Sequence, residues 1–272
     1  MNGKVQYIEG NVELMELLVD YISEMSATSA REIVAPEEAV DFYELLWSSY
    51  GYDDYDYEDY YYGDYEEYET YTEASERTEE DYSFSFELNG VLTREEIYAL
   101  EMNGIVKGNR NAPILILEFA DVNCSYCKRQ IADTKIVQTL MEKFPRTIRT
   151  AFRHMPVLGS YEEAQIIECV GDQSASPDYY QFIEQAFAKA DGNVETLYAL
   201  AKELGKDSEM VRSCVKNETF MDKIESQRAE GDRFEIWGTP SSVIINTRTG
   251  KYVVVAGAYP IEAFEEALKE VL

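Results

Sequence analysis

The chain has 272 residues, 45% of them hydrophobic, and carries 24 Lys plus Arg against 53 Asp plus Glu, a net charge of −29. That hydrophobic share suffices for one large packed domain with an appendage, while the acidic balance excludes duplex nucleic acid as a partner, because phosphate binding runs on Lys and Arg. No apolar run of about 18 residues is present to cross a membrane, and the opening MNGKVQYIEG has neither the basic nor the apolar stretch of a secretory signal.

Residues 1–50 hold two amphipathic stretches. NVELMELLVDYISEM sets Val12, Met15, Leu18, Val19 and Ile22 at helical spacing behind Asn11, and APEEAVDFYELLW begins with Pro36 near a first turn. A short N-terminal helical segment is predicted, with no visible chemistry. Residues 51–88 form an acidic, Tyr-rich, low-complexity linker: between 53 and 81 stand 14 Asp or Glu and one Arg. Like charges repel there and little can be buried, so disorder is expected. A calcium loop of the EF-hand type starting at Asp54 would need Gly where Asp59 stands.

Residues 89–272 read as a packed α/β domain. ILILEF is a strand-length apolar run; the stretch without Pro or Gly from Cys124 to Phe144 predicts one helix with Cys127, Ile131, Val137, Leu140, Met141 and Phe144 on a face; RTIRTAFRHM alternates as a strand. A helical block follows over about 160–231. SSVIIN and KYVVVA then predict a hairpin, and PIEAFEEALKEVL a closing helix with Ile261, Phe264, Leu268 and Val271 as its buried stripe. The order is strand, helix, strand, helical insertion, hairpin, helix: a sheet with helices on its faces.

The sequence FADVNCSYCKRQ places Cys124 and Cys127 at the junction of a strand and a helix. A cysteine at a helix N-terminus meets unpaired backbone N–H groups and the positive end of the helix dipole, which favour thiolate over thiol. Cys124 is then the attacking sulfur and Cys127, one turn on, the resolving one, with Lys128 and Arg129 adding modest positive charge. The rival is zinc, which would need Cys169, Cys214 or His154 as further ligands, none of them in a second C-x-x-C. Inert packing is the third reading. A lone His154, past the second strand, reads as a structural residue.

Three stretches, VKGNRNAPILILEFADVNCSYCKRQ, RHMPVLGSYEEAQIIECVGDQ and WGTPSSVIINTRTGKYVVVAGAYPIEAFEEAL, together resemble the DsbA-like thiol-disulfide oxidoreductases of the thioredoxin superfamily, over about residues 105–272. The resemblance implies a thioredoxin fold with an inserted helical domain, preceded here by the helical segment and the acidic linker. It implies a C-S-Y-C redox centre in which Cys124 and Cys127 form the redox-active disulfide, with no separate cofactor and no metal. It further implies a substrate-facing loop at Thr239 and a cis Pro240, a proton-relay role for Glu118, and a structural disulfide between Cys169 and Cys214 that points to an oxidising compartment. The activity the resemblance implies is that of a disulfide oxidase; because the family's Pro-His dipeptide is replaced by Ser125 and Tyr126, a disulfide isomerase or thioredoxin-like reductase on the same scaffold stands as the alternative, beside a peptide-binding or chaperone module without catalysis. The implied partners are exported cysteine-containing polypeptides and a redox partner that resets the site. The implied location is extracytoplasmic, in a periplasm or bacterial cell envelope, with a membrane anchor expected outside this chain.

Overall fold

A computed structural model describes residues 84–272. The predicted N-terminal helical segment and the acidic stretch up to residue 83 lie outside the described residues. The described chain starts with Phe84 and Phe86, whose rings meet the edge of Tyr259 at centroid distances of 6.0 and 6.4 Å.

Chain order gives β1 (Gly90–Val91), α1 (Arg94–Met102), β2 (Val106–Gly108) and β3 (Ile114–Ala120). The stretch after Cys124 then forms α2 (Ser125–Lys128), a π-helical turn (Arg129–Asp133) and α3 (Ile136–Lys143), and β4 (Ile148–His154) follows. The helical insertion comprises α4 (Tyr161–Asp172), α5 (Ser176–Lys189), α6 (Val194–Glu203), α7 (Ser208–Lys216) and α8 (Met221–Arg233). The hairpin β5 (Ser241–Asn246) and β6 (Lys251–Ala256) and the helix α9 (Ile261–Val271) end the chain.

The strands assemble in the order β1-β6-β5-β3-β4-β2. Only β3 and β4 run parallel among these neighbours, joined by the crossover through α2 and α3; the remaining pairs are antiparallel. Strand β3 is central and covered on both faces, which is why ILILEFA is a nearly unbroken apolar run rather than an alternation. Its period of two still divides its side chains. Ile114 and Ile116 pack with Val137, Leu140, Phe264 and Leu268 under α3 and α9, whereas Leu115, Leu117 and Phe119 pack with Ile97, Leu100 and Phe234 on the opposite face. Glu118 continues the Ile114 and Ile116 row. It therefore points to the face covered by the π-helical turn, whose Gln130 it meets.

The single helix predicted from Cys124 to Phe144 is broken. A π-helical turn inserts one extra residue, and both the N–H and the Oγ1 of Thr134 bond to the Arg129 carbonyl, at 2.8 and 3.0 Å. Lys135 follows in the left-handed region with φ +50° and pairs with Glu184 of α5 at 2.5 Å. The apolar positions therefore do not share one face: Cys127 and Ile131 pack into the cluster that holds the helices of the insertion, whereas Val137, Leu140, Met141 and Phe144 pack with Ile114, Ile116 and Phe264.

In the insertion, Cys169 on α4 and Cys214 on α7 are joined by a disulfide with a Cα separation of 6.0 Å. Around it stand Ile166, Val170, Leu197, Val211 and Val215. A second tie joins sheet and insertion. Buried Glu168 receives hydrogen bonds from Tyr179 at 2.7 Å and Lys223 at 2.5 Å and lies 3.0 Å from His154 Nε2. Desolvation alone would raise the Glu168 pKa, but His154 and Lys223 outweigh it and hold the carboxyl at about 2.

Candidate functional site

Cys124 sits where β3 has ended and α2 begins, as the residue capping the N-terminus of α2 with extended backbone (φ −83°, ψ 120°). The lead-in is fixed by Asp121: its carboxylate accepts from the Asn123 and Leu158 backbone N–H groups at 2.9 and 2.8 Å and from the Ser160 hydroxyl at 2.6 Å. Asn123 in turn donates to Ser160 and to Glu163 at 3.0 and 2.9 Å. The sulfur is thus carried by a loop clamped to the start of α4. Cys124 is partly exposed and Cys127 fully buried, and both are free thiols.

The loop before β5 closes the site from the other side. The Thr239–Pro240 peptide bond is cis, and the Cys124 thiol donates to the Thr239 carbonyl at 3.3 Å. The Pro240 carbonyl accepts from the Gly257 N–H at 2.9 Å, tying the loop to the end of β6. Thr239 Oγ1 is buried and has no hydrogen-bond partner, which leaves the hydroxyl available to a thiolate.

The two thiols are pushed in opposite directions. Cys124 falls to about 5, first through the hydrogen bond from the Cys127 thiol, then through the Thr239 hydroxyl and the Cys127 and Tyr126 backbone N–H groups, against an opposing desolvation cost. Cys127 rises far above the ordinary thiol range, first through burial and then through its bond to Cys124. The sequence puts backbone N–H groups and the helix dipole first and the cationic neighbours as a modest addition; the N–H groups of Tyr126 and Cys127 do act on the sulfur. The structure places the sulfur and hydroxyl donors ahead of them: α2 is only four residues long, and Arg129 is engaged elsewhere, donating to the Ala258 carbonyl at 3.0 Å and standing 5.1 Å over the Tyr126 ring. Ser125 and Tyr126 are exposed between the cysteines. Such a pair, one sulfur ionised at neutral pH and the other held protonated, is equipped for stepwise exchange.

Glu118 lines a cavity of about 40 Å³ behind the site, with Lys107, Gln130, Thr150 and Tyr180. Desolvation raises its carboxyl to about 7, against the lowering effects of the Gln130 hydrogen bond and the Lys107 charge. Gln130 Nε2 donates to Glu118 Oε1 at 3.3 Å. No hydrogen bond joins Glu118 directly to Cys127 among the described residues. Gln130 was not singled out in the sequence. The available signal was a polar residue three positions after Cys127 on a helix face otherwise apolar.

Cys169 and Cys214 are set apart from the free pair, bonded to each other in the insertion. His154 is bound to Glu168 and stacks edge-on against Phe152 at 4.9 Å. Among the described residues no group of three or more His, Cys, Asp or Glu side chains converges to hold a cation, and no helix is long and apolar enough to cross a membrane.

Residues 101–270 match the thioredoxin family. The chain is similar in structure to a thioredoxin-like oxidoreductase from Silicibacter pomeroyi, with a TM-score of 0.54, 24% identity and coverage of 62% of this chain and 92% of the other. It is likewise similar to DsbA2 of Pseudomonas aeruginosa (TM-score 0.52, 22% identity, 61% and 93% covered) and to oxidised BdbD of Bacillus subtilis (TM-score 0.53, 22% identity, 62% and 94% covered). Among curated sequences, the Na(+)/H(+) antiporter NhaA 1 of Salinispora arenicola is 26% identical over 170 residues. The match takes in 60% of this chain and 24% of that protein, so the chain spans about a quarter of the length of the curated relative. The chain belongs to the thioredoxin family, and its fold is that of the DsbA-like members with their helical insertion.

Proposed function

We propose that this thioredoxin-family protein is a DsbA-like thiol-disulfide oxidoreductase that works as a disulfide oxidase on exported, cysteine-containing polypeptides. The observation that carries the reading is the opposed state of the two thiols, Cys124 at about 5 and Cys127 far above the ordinary range. Stabilising the Cys124 thiolate stabilises the reduced pair, and a pair whose reduced form is stabilised is an oxidant.

The redox group is the cysteine pair itself. In the oxidised protein the sulfurs are bonded to each other. A substrate thiolate attacks Cys124 Sγ, forming the mixed disulfide as the Cys124–Cys127 bond breaks, and Cys127 leaves and takes a proton. A second substrate thiolate then attacks the substrate sulfur of the mixed disulfide and expels Cys124 as a stable thiolate. The substrate gains a disulfide and the protein gains two electrons, which a redox partner must remove. In the reverse direction Cys124 attacks a substrate disulfide and Cys127, once deprotonated, resolves the intermediate. Glu118, poised near neutral pH, supplies and accepts the Cys127 proton through water. Thr239 and Pro240 present the face on which the substrate chain lies, and Ser125 and Tyr126 flank the attacked sulfur.

The Cys169–Cys214 disulfide supports an extracytoplasmic, cell-envelope location, since such bonds persist in oxidising compartments. The reading is tested by incubating the Cys127→Ser protein with reduced polypeptides and with their disulfide forms. Mixed disulfides through Cys124, visible on non-reducing gels and released by dithiothreitol, are expected. Ordinary turnover by Cys124→Ser protein would sink it.

A further inference from the structure

Gln130 is 2% exposed, in the π-helical turn directly after the redox helix, over the face of β3 that carries Glu118. A glutamine buried there calls for a reason, because a side-chain amide brings both donor and acceptor groups and each is costly to leave unmade. The donor side is used: Nε2 lies 3.3 Å from Glu118 Oε1 and 3.4 Å from the hydroxyl of fully buried Ser242, the residue paired with Glu118 across β3 and β5. The acceptor side is not: Gln130 Oε1 is buried and has no partner.

Glu118 changes what it needs when it changes protonation state. As a carboxylate it accepts only. As a carboxylic acid it has an O–H that must find an acceptor. Half a turn about the last side-chain torsion of Gln130 exchanges its N–H₂ and its carbonyl oxygen with little change in shape.

We propose that Gln130 is a positioning residue for Glu118, donating from Nε2 to the charged carboxylate and, with the amide turned over, accepting at Oε1 from the protonated acid. The unpaired Oε1 is the acceptor held for the second state. This rests on the reading of Glu118 as the proton carrier of the site. The other groups near Glu118 do not serve both states. Thr150 Oγ1 gives its hydrogen to the Ile116 carbonyl at 2.8 Å and has none left for the carboxylate, and Ser242, which accepts from Gln130 Nε2, makes no hydrogen bond to Glu118 among the described residues. The Tyr180 hydroxyl is bound to the Ile105 carbonyl at 2.7 Å and receives the Phe152 N–H at 3.1 Å. Lys107 offers charge but no acceptor, and Lys135 and Glu184, on the cavity's rim, are paired with each other. An apolar residue of the same length at 130 would leave the carboxylate without its donor and the acid without its acceptor. The loss weighs more on the charged form, so the carboxyl would titrate at higher pH.

The test is a titration of full-length protein carrying ¹³Cδ-labelled Glu, with the Glu118 signal assigned by its loss in Glu118→Gln. It reads the carboxyl itself and needs no turnover, so failure of the oxidase reading in an exchange assay stays distinct from failure here. The expected result is that Gln130→Met raises the Glu118 midpoint by about one pH unit or more. An unchanged midpoint, with only a lowered Tm, would assign Gln130 to packing and overturn the proposal. Should the Met variant not fold, the wild-type protein decides: the Gln130 side-chain N–H₂ resonances must shift with the Glu118 midpoint, and amide signals flat across that range would overturn it equally.

Discussion

Two cysteine pairs in one chain have been built for opposite ends. Cys169 and Cys214 stand on two helices of the insertion, their Cα atoms 6.0 Å apart and 45 residues separated in sequence, joined and walled by aliphatic side chains. Cys124 and Cys127 stand three residues apart at a helix start, free, with one sulfur partly open to solvent and one buried. The difference lies in what surrounds the sulfur. Aliphatic neighbours offer no donor to a thiolate, so the insertion pair has no reason to open. The core pair meets a thiol, a hydroxyl and backbone N–H donors on one sulfur, while on the other burial and the bond to Cys124 outweigh what Thr239 and the Asp121 backbone offer. Position in a donor field, and not the presence of two cysteines, separates a redox centre from a staple.

The largest effect should come from exchanging the roles of the two pairs. Replacing Cys124 by Ser is expected to lower thiol-disulfide exchange by at least about 10³-fold while leaving the Tm nearly unchanged, since a nucleophile is lost and little packing with it. Replacing Cys169 and Cys214 together by Ala should do the reverse. Chemical denaturation is expected to show a loss of roughly 2 to 5 kcal/mol, with the exchange rate of the folded protein preserved. Comparable loss of activity in both variants would erase the distinction.

A smaller effect tests Glu118. Its folded-state carboxyl, raised to about 7, binds a proton that the unfolded chain releases near 4.5. Between those values the folded state holds more protons than the unfolded, so stability falls as pH rises through this window. Glu118→Gln should therefore stabilise the protein by roughly 2 to 3 kcal/mol at pH 8 and hardly at all at pH 4. The same variant should slow the step in which Cys127 gives up its proton, followed by stopped-flow reduction of a model disulfide.

The subtlest change is at Thr239. With its hydroxyl removed in Thr239→Val, the Cys124 thiolate loses one donor, and thiolate absorbance near 240 nm should titrate about one pH unit higher. The Cys169–Cys214 pair, which has no part in that field, should keep its resistance to reduction.

Much of this contrast was legible in the sequence because the thioredoxin core repeats a strong local grammar. ILILEF, the C-x-x-C at its end and the hairpin SSVIIN to KYVVVA are strand-length apolar runs with clear punctuation, and each lies where expected. The pairing of Cys169 with Cys214 came with family resemblance, since spacing alone cannot choose partners among four cysteines. The break of the redox helix at Arg129–Asp133 was hidden. No Pro or Gly marks it; what accompanies it is one local feature, the two hydrogen bonds from Thr134 to the Arg129 carbonyl, and one tertiary feature, the Lys135–Glu184 pair. Strands β1 and β2 were missed because two- and three-residue edge strands carry no periodicity. Helix α1 did leave a signal, the Thr93 to Glu96 capping box in TREE, with both reciprocal bonds formed. Gln130 went unseen because a polar residue on a helix reads as surface until the sheet beneath it is known.

The central claim is that the Cys124–Cys127 pair is an oxidant because the reduced state is stabilised through Cys124. Equilibration in graded glutathione buffers, followed by alkylation and mass mapping of all four cysteines, tests it most directly. The account predicts that Cys124 and Cys127 titrate together at roughly −120 to −180 mV while Cys169 and Cys214 stay bonded throughout. A midpoint near roughly −270 mV, the range of a reductant, would contradict it.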